Sequence, residues 1–267
     1  MSGIPQPASP VPSLPRRDRT AILVSLVGVT LLAWAYLFFL AAGMGDMPMS
    51  GASDMVRVRP WEAIDFLLMF LMWAVMMVGM MVPTAVPMTR VYAAVSRKAA
   101  RQDTPLPATG IFVAGYVAMW CLFSAGATLA QWLLDQATLL SPMMVSTSPS
   151  LGAGLLIAAG LYQLTPFKNS CLDHCRAPAH FLAQHWRKGA TGAFRIGLHH
   201  GAFCLGCCWV LMGLLFLGGV MNLLWIALIT VFVLAEKMLP RGARSGRFAG
   251  IAMILAGVLS LVGFGWW

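Results

Sequence analysis

The chain has 267 residues, 59% of them hydrophobic and only 10% charged, with a mean hydropathy of +0.78. Soluble domains carry about 25% charged residues, so this composition excludes an ordinary water-soluble globule and places most of the chain in lipid. The net charge of +9 would suggest nucleic acid in a soluble protein, but its distribution along the chain makes it a topology signal.

The first twenty residues hold Pro5, Pro7, Pro10, Pro12 and Pro15, and residues 1–20 read as a disordered, Pro-rich cytoplasmic tail. Residues 21–267 follow as a single transmembrane helical domain. A signal peptide is the competing reading of residues 1–45. Its apolar core normally runs about 7–15 residues, and the uncharged run Ala21–Gly45 is longer, so this segment is read as the first span. Further uncharged runs are Phe66–Thr89, Thr104–Leu134, Gln136–Phe167, Ile196–Ala235 and Phe248–Trp267. A spanning helix needs about 20 apolar residues. The run from Ile196 is twice that and divides at Gly218-Gly219. The expectation is an all-α, polytopic membrane helical bundle of about seven transmembrane helices, at 21–43, 62–83, 109–133, 150–167, 197–217, 220–237 and 248–266.

Sixteen of the eighteen Lys and Arg residues then fall on one side of the bilayer, leaving only Arg57 and Arg59 on the other. The positive-inside rule puts the N-terminus in the cytoplasm and the C-terminus outside. The basic residues meet anionic lipid, and no nucleic-acid partner is expected.

Taken in chain order, the first chemical signal is methionine. The first outside loop reads Met44-Gly45-Asp46-Met47-Pro48-Met49, and Met47 and Met49 are candidate ligands there, because thioethers suit Cu(I) far better than Zn(II). Met69, Met72, Met76 and Met80 form a stripe on the second span, where packing is the simpler role. Glu62 and Asp65, one turn apart at its outer end, are placed to receive a cation from the loop. The segment Cys171-Leu172-Asp173-His174-Cys175 follows the fourth span on the cytoplasmic side. That compartment is reducing, so Cys171, Cys175 and His174 read as metal ligands or a transient redox pair. His180 and His185, in the same loop, read as ordinary surface residues.

The fifth span carries the densest signal. Cys204, Cys207 and Cys208 lie within five residues, with His200 on the same helical stripe and His199 to one side. At 1.5 Å per residue, Cys204 would lie roughly 10 Å in from the cytoplasmic edge. Thiolates with imidazoles select Cu(I), Zn(II) or an iron–sulfur cluster, while Cys-x-x-Cys is also the spacing of redox dithiols. Glu236-Lys237 reads as a helix-end pair.

The strings Met76-Met77…Met80-Met81-Val82-Pro83, Tyr162-Gln163-Leu164-Thr165-Pro166…Cys171…Cys175-Arg176 and Cys204-Leu205-Gly206-Cys207-Cys208-Trp209…Glu236-Lys237 resemble a bacterial family of predicted metal-binding integral membrane proteins, a domain of unknown function, over about residues 60–265. The resemblance implies a multi-pass protein of the bacterial inner (cytoplasmic) membrane that binds metal. The reading is a protein that handles or transfers a soft transition metal through Cys, His and Met ligands. Cu(I) is favoured and Zn(II) is the alternative, with a metal-donor or acceptor protein as partner besides the bilayer. The rival chemistries are a membrane thiol–disulfide oxidoreductase and a haem- or cluster-bearing electron-transfer subunit. Reporter fusions after Lys188 and at Trp267 should report cytoplasm and periplasm respectively; the same answer from both would contradict seven spans.

Overall fold

The computed structural model describes residues 14–45, 61–100, 106–139, 148–239 and 242–262. The proline-rich segment through residue 13 and the Met47/Met49 loop lie outside them. The described residues form helices α1 (Arg16–Gly45), α2 (Ala63–Ala100), α3 (Leu106–Gln136), α4 (Pro149–Leu164), α5 (Pro166–Arg176), α6 (Pro178–His185), α7 (Gly189–Gly213), the short α8 (Leu215–Gly218), α9 (Leu223–Met238) and α10 (Gly242–Leu261). The protein is all-α in these residues. Five helical segments are long and apolar enough to cross a bilayer: α1, α2, α3, α7 with α8, and α10. The bent pair α4–α5 makes a sixth when taken as one span. The segment expected as the sixth crossing, α9, has 16 residues. It therefore spans about 24 Å, short of the roughly 30 Å hydrocarbon core.

Three boundaries differ from expectation for identifiable reasons. α2 does not stop at Pro83 but runs on through Pro87 to Ala100. Pro83 has no N–H for the Gly79 carbonyl, its partner one turn back. The Trp34 indole of α1 supplies that hydrogen at 3.3 Å, which is how prolines are accommodated in membrane helices. α4 ends at Leu164, and the chain turns by 64° into α5. Thr165 caps both, with its hydroxyl accepting from the Lys168 amide at 3.3 Å and Pro166 opening the new helix. α7 starts at Gly189, eight residues earlier than expected. The break foreseen at Gly218-Gly219 is present: Gly219 has φ +93°, a conformation that favours glycine, and Asn222 caps α9 by accepting from the Trp225 amide at 3.2 Å.

Side-chain contacts give the helix directions. α1 and α2 are antiparallel, tied by an Arg97–Asp18 ion pair at one end and by Trp34 to Gly79 further along. α2 and α3 are antiparallel as well: Tyr92 stacks on Phe112 at 4.6 Å, and the Trp73 indole donates to Gln131 at 2.6 Å. α3 and α7 run parallel, meeting at Gly115 beside Phe194, Gly197 beside Phe112, and Gly201 beside Met119. α4 and α10 are antiparallel through Gly160 and Gly250, then Ala153 and Gly257. The core holds Met72, Met76, Met77, Met80 and Met81 of α2 against α7 and α9. Without water to drive helices together in lipid, small residues that let backbones approach supply the packing. A Cβ at Gly197 would collide with the Phe112 carbonyl, whereas one at Gly28 meets nothing within 4 Å.

Gly197→Ala is therefore expected to destabilise the detergent-solubilised protein by roughly 1–3 kcal/mol, as overpacking does. Gly28→Ala should be neutral or slightly stabilising, as alanine is the better helix former. Paired thermal melts check this.

Candidate metal centre

Cys204, Cys207 and Cys208 occupy one face of α7 and are each 1–2% exposed. The thiols of Cys207 and Cys208 both donate to the Cys204 carbonyl at 3.0 Å, which turns their sulfurs back toward Cys204. The bend at Thr165 folds α5 onto α7 and carries Cys175 to the same place. It packs there against the core that holds Cys204, Cys207 and Cys208, close enough to interact with Cys204 and Cys207. Four sulfurs from two helices thus lie in one neighbourhood. All of them are free thiols.

Cys171 takes another position. It is buried against Gly206, where a Cβ would come within 2.8 Å of its sulfur. The two cysteines of α5 therefore separate: Cys175 joins the thiol group, and Cys171 packs on a neighbouring part of α7.

The remaining wall is polar and comes from three other helices. Lys237 of α9 places its ammonium 2.8 Å from the Cys204 sulfur and 3.3 Å from the Thr84 hydroxyl. The Tyr116 phenol of α3 lies 3.0 Å from the same sulfur and donates to the Met81 carbonyl at 3.0 Å. Glu236 turns the opposite way. It pairs with Lys168 and accepts from Gln163 at 3.3 Å, all three residues being 2% exposed. The expected Glu236–Lys237 helix-end pair is thus absent, because successive helical residues point about 100° apart and each meets its own partner. Lys237, Thr84 and Tyr116 were missed from sequence. Lys237 was visible there only as a neighbour of an acid, and single Thr and Tyr residues carry no spacing signal.

His200 is 3% exposed, with Nδ1 buried and unpartnered. Its ring faces Tyr116 at 5.7 Å and Phe181 at 5.5 Å, one turn from Cys204. His199 points away from the thiols, toward His185 at 4.6 Å. His174 lies flat on Phe203 at 4.3 Å. Asp65 accepts from the Glu62 amide at 2.8 Å, closing the first turn of α2. Met47 and Met49 are outside the described residues.

Among the described residues no three His, Cys, Asp or Glu side chains stand in a ready-made coordination set. The Cys207 and Cys208 thiols hydrogen-bond the Cys204 carbonyl, so taking an ion would exchange those bonds for sulfur–metal bonds. The donor set is chemically suited to that exchange: several thiols, little water, and a cation to offset thiolate charge.

A family model described as PpoB2, copper chaperone, matches residues 70–260. The match contains all four clustered cysteines and Lys237, and begins downstream of Met47 and Met49. No curated protein and no solved structure matches the chain. Of the three chemistries open at the level of sequence, the match selects metal handling: the chain belongs to the PpoB2 family of copper chaperones.

Proposed function

We propose that the protein binds Cu(I) as cargo at Cys175, Cys204, Cys207 and Cys208 and passes it to an acceptor protein at the bilayer surface. The observation that carries this reading is the Lys237 ammonium 2.8 Å from the Cys204 sulfur. A Cu(I) ion held by two of these sulfurs as thiolates, with the other two kept as neutral thiols, has a net charge of −1, which Lys237 offsets to zero. Neutrality matters where charge is poorly solvated. Zn(II) prefers four ligands. With four thiolates it would leave one negative charge uncompensated beside Lys237, so it remains the less favoured ion. The methionine thioethers packed between the thiols and the far end of α2 add soft sulfur on one side of the site, and the outer-loop Met47 and Met49 would extend it.

The topology in this reading is seven crossings of a bacterial inner membrane, with the N-terminus inside and the C-terminus outside. The parallel course of α3 and α7 and the antiparallel α4 and α10 support it, since both alternate as seven crossings require. In that frame α9 is a short crossing. Cys204 lies about 22 Å along α7 from Gly189, yet level with the ends of α4 and α9. The site therefore opens toward the basic, cytoplasmic end, where α5 crosses α7.

Copper content of detergent-purified protein tests the site. Wild type and Cys171→Ser should retain tightly bound copper. Cys204→Ser with Cys207→Ser should abolish it. Cys175→Ser should weaken it by at least the roughly 10–100-fold that loss of an outer partner costs. Equal copper in wild type and the double variant would overturn the assignment. An effect of Cys171→Ser as large as that of Cys175→Ser would overturn the division of the α5 cysteines.

A further inference from the structure

Three histidines that take no part in the thiol group come together on its exposed flank. They arise from three successive helices: His174 of α5, His185 of α6 and His199 of α7. All three surround Phe203. His174 stacks on that ring at 4.3 Å, His199 lies at 5.0 Å and His185 at 6.5 Å. His185 and His199 meet edge to face at 4.6 Å. Aromatic packing alone does not call for imidazole here, since Phe181 and Phe203 already supply apolar rings. Three imidazoles gathered around one ring suit a shared ligand.

The hydrogen bonds point to what that is. His185 Nδ1 lies 3.0 Å from the Phe181 carbonyl, and His174 Nδ1 lies 2.8 Å from the Ser170 carbonyl. A carbonyl can only accept, so in each neutral ring Nδ1 carries the hydrogen and Nε2 keeps the lone pair. This backbone anchoring is the arrangement commonly found behind metal-binding histidines.

From these contacts we infer a second copper site, in which His185 and His199 hold Cu(I) between their ring nitrogens with His174 alongside. No three of these side chains form a closed set among the described residues, so the assignment is a two-imidazole seat. It rests on the proposed thiol site and adds to it. His199 is exposed and stands five residues before the buried Cys204, about 7.5 Å along the helix. Imidazole is the less soft donor for Cu(I), so an ion captured there moves inward to the thiols by ligand exchange. Copper remains Cu(I) throughout. Two copper–nitrogen bonds break as two copper–sulfur bonds form, and the two displaced thiol protons pass to the vacated ring nitrogens.

The test is anaerobic titration of untagged, full-length protein in detergent with Cu(I), in competition with a chromophoric Cu(I) chelator. Wild type should fill in two classes. His185→Gln with His199→Gln should weaken the looser class by at least about tenfold and leave the tighter class intact, which also shows that the variant is folded. Cys204→Ser with Cys207→Ser should do the reverse. A looser class that is absent from wild type, or unchanged in the double histidine variant, overturns the imidazole site. Loss of the tighter class is read separately and bears on the thiol site, so the two readings fail independently.

Discussion

Glu236 and Lys237 end α9 side by side and point into different environments, and the candidate site depends on that divergence. Glu236 is bound by Lys168 and Gln163 where α4 gives way to α5. Lys237 is left to face Cys204 and Thr84. A cation directed into a poorly solvated interior is costly unless an anion or strong acceptor meets it. Here the groups that meet it are the Cys204 sulfur at 2.8 Å and the Thr84 hydroxyl at 3.3 Å. The Lys168–Glu236 pair, 2% exposed on both sides, pins the start of α5 and so holds Cys175 over the α7 cysteines.

The remaining helices make that arrangement geometrically available. Close contact between α3 and α7 at Gly115, Gly197 and Gly201 brings Tyr116 beside Cys204. The Trp34 bond to the Gly79 carbonyl lets α2 continue past Pro83, so that Thr84 reaches the same point. The glycine contacts supply close packing, and the Trp34 bond is a local solution to the demand that backbone polar groups be satisfied without water. Their joint result is a pocket of four thiols, one ammonium and two hydroxyls drawn from five helices.

Much of the fold and the centre of the site were legible in sequence because they leave periodic or compositional traces. Uncharged runs marked the long helices, and Cys204, Cys207 and Cys208 advertised themselves by spacing on one helix. Pro166 signalled the end of α4. What escaped depends on tertiary contacts. The expected second span ends at Pro83, and nothing in that residue's own neighbourhood shows that Trp34, some fifty residues earlier, satisfies the freed carbonyl. Cys171 and Cys175 looked equivalent at i and i+4, and the 64° turn at Thr165 that lays α5 against α7 decides what each one meets. Lys237 looked like the partner of its acidic neighbour, although helical geometry points adjacent residues apart. The edge-to-face contact of His185 with His199 joins two helices and leaves no trace in sequence.

The central claim is that copper is held by sulfur beside Lys237. Copper-edge X-ray absorption on protein loaded anaerobically with one equivalent tests it most directly. Sulfur ligation beside Lys237 predicts a Cu(I) edge and a first shell of sulfur alone, replaced by lighter scatterers in the Cys204→Ser/Cys207→Ser protein. A first shell made mainly of nitrogen or oxygen at one equivalent in the wild type would contradict it.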